Sequence, residues 1–338
     1  MILNLQALRA YAATLVLFHH SQRFYTDMGG SCGWFESIGK WGFTGVDIFF
    51  VLSGYVIARS ISPRNGSVIR PGEFLFRRFG RIYLGYWPFF FIALVTAFLF
   101  YPQFLTDKKL FASGFLLTPS TAYSVVSPAW SLTYELYFYA LTALMLSLPA
   151  RFRNPILLIW LGAAIVKLIA TDYAQFASLD FFFSPFVFEF LAGMLVFRLG
   201  MNIQKNRVLV LSVILLPVFV ALGVAHEHIA GIGRVLTWGS AAVCLVVIAL
   251  VLEHKRMLIA DRFSVALGDA SYTFYLSHTI LLALFFATGL QDWIVAGGWV
   301  ETGFFSYLAF IILFSILFYR IVEHPMYLKY LGMRNGNA

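Results

Sequence analysis

Ten apolar runs, each near the twenty or so residues needed to cross the hydrocarbon of a bilayer, follow one another with short connections. They fall at about residues 4–23, 41–61, 82–104, 130–148, 154–171, 180–198, 207–225, 234–252, 270–290 and 299–322. The runs are continuous rather than alternating, which argues for helices and against a β-barrel. Only 12% of residues are charged, where soluble domains carry about 25%. The chain therefore reads as an all-α integral membrane protein of about ten transmembrane helices. A single transmembrane domain over residues 1–338 is expected, with no appended soluble domain.

The net charge of +8 follows the connections between runs. Sixteen Lys and Arg residues, Arg64, Lys205 and Arg334 among them, fall on one side of the alternating topology, and six, including Lys108, Lys109 and Arg234, flank runs on the other, with Arg9 and Arg320 inside runs. The positive-inside bias places both termini in the cytoplasm. The excess charge thus reports orientation in a bilayer, and no nucleic-acid partner is expected. Cys32 and Cys244 stand far apart and form no disulfide framework. Nucleotide-binding, nucleophile-elbow and metal-site motifs are absent from the sequence, so no metal is expected.

Ionisable residues within the runs are costly enough in hydrocarbon to mark sites or pathways. Arg9 and His20 lie eleven residues apart. That is three helical turns plus about 20°, so they share one face about 16 Å apart along the axis, with His19 about 80° off it. Asp47 lies about 9 Å inside the external end of the second run. His20 approaches the same end, so the geometry allows a His20–Asp47 hydrogen bond. Such a pair orients an imidazole for base catalysis or simply ties two helices together.

Arg78 and Arg81 are neighbours on one helix face. They either clamp a phosphate or serve as flanking charges at the headgroups. Glu135 sits in the outer third of the fourth run, among Trp130 and several tyrosines that read as an interfacial belt. Glu189, His278 and Lys167 are further buried ionisable groups, meeting ligand or tying helices. Asp269 and Glu323-His324-Pro325 read as caps or flanking charges at cytoplasmic ends. Arginines thus lie toward the cytoplasm, and His20, Asp47 and Glu135 toward the outside. A phosphate-bearing donor reaching toward a distant acceptor would use such an arrangement. So would a transporter or flippase of a lipid-linked glycan.

These residues carry a resemblance to the membrane acyltransferase 3 family, whose first helix has an arginine, ten residues and a histidine. Arg9 and His20 match it. Also similar are Gly45-Val46-Asp47-Ile48-Phe49-Phe50-Val51-Leu52-Ser53-Gly54, Arg78-Phe79-Gly80-Arg81-Ile82-Tyr83, and Trp130-Ser131-Leu132 followed by Glu135. Phe190-Leu191-Ala192-Gly193, Gly268-Asp269-Ala270-Ser271-Tyr272 and Glu323-His324-Pro325 complete the set. The 130–139 block is similar to the branch that decorates exopolysaccharides. Leu84 departs from the proline often found there.

The resemblance implies O-acylation, usually acetylation, of a carbohydrate or lipid-linked glycan at the bacterial inner membrane. Acyl-coenzyme A, most simply acetyl-coenzyme A, would be the cosubstrate, with no permanently bound cofactor. It also implies that His20 is catalytic with Asp47 and Glu135 in its site, and that Arg9, Arg78 and Arg81 handle donor phosphates. Trp130, Ser131, Glu189 and His278 are secondary candidates.

Overall fold

The computed structural model describes residues 2–63, 69–102, 108–119, 125–170, 178–203 and 206–335. Arg64 and Lys205, counted above among the loop charges, lie outside the described residues, as do the side chains of Lys108, Lys109 and Arg334. Every regular element among the described residues is helical. In chain order these are α1 (Leu3–Asp27), α2 (Gly33–Trp41), α3 (Gly45–Ile61), α4 (Pro71–Phe100), α5 (Lys108–Leu116), α6 (Trp130–Ser147), α7 (Ala150–Ala170), α8 (Ser178–Phe182) and α9 (Phe186–Ile203). There follow α10 (Asn206–Ala225), α11 (Gly231–Arg234), α12 (Ser240–His254), α13 (Arg262–Asp269), α14 (Ser271–Ala287), α15 (Leu290–Ala296), α16 (Val300–Phe318) and α17 (His324–Asn335). Two π-helical turns, Val235–Gly239 and Tyr319–Glu323, join α11 to α12 and α16 to α17.

Each of the ten apolar runs is helical over most of its length. Six helical stretches are long and apolar enough to cross a membrane, or seven if α13 and α14, bent by 74°, count as one broken span. Neither α1 nor α6 is among them. Both carry polar side chains, such as Asn4, Gln6, Arg9, His19 and His20 in α1, that lower their mean hydropathy. On α10, Val210, Leu211, Val213 and Ile214 are all exposed. An apolar exterior of that kind suits lipid rather than water.

One boundary differs from the sequence expectation. Helix α4 starts at Pro71, eleven residues before the apolar run at 82. A proline fits a helix's first turn because its missing N–H would have no intrahelical partner there. Arg77, Arg78 and Arg81 therefore belong to one continuous helix, in keeping with the shared face read for Arg78 and Arg81, and the proline within it is Pro88.

The chain divides into two compact units. The Asp47 unit comprises Met1–Leu5, Asp47–Phe79 and Leu132–Ile259, and the His20 unit comprises Gln6–Val46, Gly80–Ser131 and Ala260–Ala338. Within the Asp47 unit, α3 and α9 cross at Gly54 and Gly193. A Cβ on Gly54 would overlap the Phe190 carbonyl, and one on Gly193 the Val51 carbonyl. Small residues at such a crossing let two backbones meet where dispersion contacts must hold helices together.

In the His20 unit the crossings centre on α1. Gly42 and Gly45 press on the carbonyls of Leu15 and Ala12, and Gly268 presses on that of Gln6. The end of α5 is closed by side chains from α4. Tyr83 and Tyr86 hydroxyls donate to the carbonyls of Leu116 (2.8 Å) and Gly114 (2.7 Å), and Trp87 Nε1 to that of Phe115 (3.3 Å). These bonds satisfy carbonyls that a helix end leaves without intrahelical partners.

Candidate active site

In the His20 unit, α1 presents His20 to α14. His20 Nδ1 lies 3.0 Å from the Val16 carbonyl and 3.2 Å from His278 Nε2. His278 Nδ1 lies 3.2 Å from the Phe274 carbonyl. A carbonyl only accepts, so the neutral rings carry their protons on Nδ1. His20 Nδ1–H is then shared between Val16 O and the lone pair of His278 Nε2. That leaves His20 Nε2 unprotonated, the nitrogen able to accept a proton. His20 is half-buried, whereas His278 is 1% exposed. His19 turns aside: its Nδ1 meets the Gly39 carbonyl at 2.9 Å and ties α1 to α2.

One turn before His278, the Tyr275 hydroxyl lies 2.9 Å from Ser131 Oγ, which itself donates to the Pro128 carbonyl. Ser131 can then only accept from Tyr275. The sequence candidate Ser131 is thus linked to the helix that carries His278, and Trp130 opens α6 beside it.

The same unit holds a polar break between α13 and α14. Asp261 caps α13, accepting from Ser264 N–H at 2.6 Å while Ser264 Oγ accepts from Asp261 N–H. At the far end the 74° bend turns Asp269 and Ser271 onto α1. Gln6 Nε2 donates to Asp269 at 2.7 Å, and Arg9 Nε to Ser271 Oγ at 3.1 Å. Beyond the bend, Thr273 donates to Glu323, whose other carboxylate oxygen is 3.9 Å from Arg81. Arg81 also lies over the Tyr327 ring, 5.8 Å from its centre. Asp269 and Glu323 are therefore partners of side chains on other helices, not simple end caps. Glu323 is 4% exposed because the π turn it ends carries it inward. Such turns recur at functional sites.

The Asp47 unit has a different chemistry. Asp47, the sequence candidate for orienting His20, is held by Arg234 through Nε at 2.9 Å and a second nitrogen at 2.8 Å. It is fully buried, and Arg234 is 8% exposed with its guanidinium 5.1 Å from the centre of the Phe186 ring. Within its own unit the Asp47 carboxylate is taken by Arg234, and within the other the side chain at His20 Nδ1 is His278. Glu189, 1% exposed, lies against Asp47 and packs on Gly239 of the π turn.

Glu135 accepts from Ser53 Oγ at 3.0 Å and from the Tyr139 hydroxyl. Arg78 lies over the rings of Phe74 and Tyr139, at 5.7 and 5.5 Å. The expected Arg78–Arg81 clamp is thus shared out. Arg78 stacks on aromatic rings, while Arg81 faces a carboxylate. Lys167 pairs with Asp180 at 2.6 Å, a contact that ties helices. Among the described residues, no three of His, Cys, Asp and Glu group so as to hold a metal.

Against this geometry, a family model described as an acyltransferase domain matches residues 2–320. The chain belongs to the acyltransferase 3 family. Like other members, this acyltransferase is an enzyme that transfers acyl groups to oxygen. It is 32% identical over 309 residues to "Exopolysaccharide production protein ExoZ" of Rhizobium meliloti (strain 1021), covering 88% of this chain and 91% of that protein. It is 27% identical over 191 residues to "Protein 2 in picA locus" of Rhizobium radiobacter, covering 50% of this chain and 94% of that protein. No solved structure matches the acyltransferase. The transporter reading finds no counterpart in these comparisons.

Arg234 is the residue that sequence reasoning missed most clearly, having been counted as an external flanking charge. The available signal was Asp47, a carboxylate within a run and in need of a cation. Thr273 and Tyr275 were missed as well, since single hydroxyls on an apolar helix carry no distinctive pattern, and Ser271 was noted only as part of the 268–272 block.

Proposed function

We propose that this acyltransferase moves an acyl group, most simply acetyl, from acyl-coenzyme A to a hydroxyl of an exported carbohydrate. The observation that carries the reading is His20. Its Nδ1 proton is committed to Val16 and His278, and its Nε2 is left to take a proton. In this reading the acceptor hydroxyl gives its proton to His20 Nε2 as its oxygen attacks the thioester carbonyl. The tetrahedral adduct then collapses, the C–S bond breaks, and the imidazolium returns the proton to the departing thiolate. The products are an ester and free coenzyme A. A base placed this way supplies about 10²–10⁴-fold of rate.

Arg9, on the His20 face of α1, and Arg81 receive donor phosphates in this proposal, with Arg78 a further cation for them. A guanidinium presents several N–H groups to phosphate oxygens. Asp47, Glu189 and Glu135 shape their unit rather than touch the reacting atoms. The enzyme would cross the inner membrane of a bacterium about ten times with both termini cytoplasmic, so that the donor enters from the cell interior. The carbohydrate acceptor is supported by the printed name of the ExoZ relative.

The test uses purified enzyme in lipid nanodiscs, acetyl-coenzyme A, and exopolysaccharide from a strain lacking the gene. Thiol release should depend on the glycan and fall by about 10²–10⁴-fold in His20→Ala. Thiol release indifferent to glycan, or undiminished in His20→Ala, would overturn the reading.

A further inference from the structure

The His20–His278 contact supports a step beyond the identity of the base. We infer that His278 is a positioning residue, whose Nε2 lone pair holds the Nδ1–H of His20 so that the opposite nitrogen faces the acceptor hydroxyl. The inference rests on the reading of His20 as base and deepens it.

The geometry leaves His278 one proton arrangement in the neutral state. Phe274 O fixes the proton on His278 Nδ1, so Nε2, 3.2 Å from His20 Nδ1, offers only a lone pair. Burial of His278 at 1% exposure keeps water from competing for that lone pair. The two rings sit 5.1 Å apart and are tilted by 55°, so the contact runs nitrogen to nitrogen rather than through stacked faces. When His20 takes a proton, its Nδ1–H is already aimed at a neutral acceptor, as an orienting group requires. Unlike a carboxylate, the acceptor brings no negative charge.

Supporting contacts hold His278 in place. Tyr275, on the preceding turn, lies with its ring 6.0 Å from that of His278 and its hydroxyl bonded to Ser131. Ser277, next along α14, meets Ser315 Oγ on α16 at 3.1 Å. The helix bearing His278 is thereby pinned on both sides of the imidazole.

The experiment compares His278→Leu with His278→Gln in nanodiscs, using acetyl-coenzyme A and glycan from the deletion strain, with wild type and His20→Ala alongside. Glutamine places an amide oxygen near the lost Nε2 and can accept from His20 Nδ1–H; leucine cannot. Leucine should lower kcat by about 10–100-fold, less than the ~10²–10⁴-fold expected from losing the base itself, while KM for acetyl-coenzyme A stays within about twofold. Glutamine should recover most of the rate.

Full activity in His278→Leu would overturn the inference while leaving His20 as base. Equal loss in both variants would also overturn it, because acceptor chemistry would then make no difference. A wild-type enzyme that transfers nothing to the glycan would instead defeat the proposed function.

Discussion

The two units bury polar groups in opposite ways. Around Asp47 the interior is ionic: a fully buried carboxylate and an almost fully buried guanidinium are locked by parallel hydrogen bonds and backed by the Phe186 ring. Around His20 a half-buried imidazole meets a carbonyl and a second imidazole. Each unit also has one π turn beside its charges, after Arg234 in one and ending on Glu323 in the other. Under the proposed function, the difference separates a fastening from a reaction centre. An ion pair joined by parallel hydrogen bonds holds its two charges against each other, and separating it leaves a charge stranded. A neutral imidazole with one nitrogen unclaimed can gain and lose a proton within a catalytic cycle.

The sharpest break in that comparison is between activity and stability. His20→Ala should cost about 10²–10⁴-fold in transfer while thermal unfolding in detergent stays close to wild type. Arg234→Ala should do the reverse. Stranding Asp47 costs about 3–5 kcal/mol, seen as a large fall in unfolding midpoint and in folded yield. The double variant Asp47→Leu/Arg234→Leu should regain much of that stability, because removing both charges of a buried pair is far less costly than removing one. If Arg234→Ala folded like wild type and lost only transfer, the Asp47 group would belong to the chemistry.

A smaller effect is expected at Glu135, which shares features of both regions. It is a carboxylate, yet it is held by two hydroxyls, Ser53 and Tyr139. Glu135→Gln keeps the size and one carbonyl acceptor but loses the charge on those bonds. A cost of about 1–2 kcal/mol follows from the difference between charged and neutral hydrogen bonds. Unfolding in detergent measures it.

Much of this division was legible in the chain. The apolar runs located the helices, and the eleven-residue spacing put Arg9 and His20 on one face of α1. What could not be read was partnership between helices. Asp47 needed a cation, but nothing in a linear pattern says that α11 supplies it. Arg234 looked like a flanking charge because it stands at the mouth of an apolar run, where loop charges also stand. Asp269 and Glu323 looked like end caps for the same reason; a sharp bend turns the half-buried Asp269 onto α1, and a π turn puts Glu323 inside. The start of α4 was hidden by its own arginines, which depress hydropathy over its first turns. Polar side chains likewise lower the mean hydropathy of α1 and α6, although both appear among the apolar runs.

The smallest effect concerns Glu189, the residue that would blur the contrast if it were reactive. Its carboxyl lies against that of Asp47, and no donor among the described residues reaches either of its oxygens. Glutamine has the same shape and sets an amide N–H against the Asp47 carboxylate. Glu189→Gln should therefore change stability by less than about 1 kcal/mol, near the net value of one hydrogen bond, and leave transfer unchanged. Glu189→Leu, which sets no donor there, should cost about 1–3 kcal/mol. A Glu189→Gln enzyme that folds normally but transfers nothing would place a working proton in the ionic unit and end the distinction between the two regions.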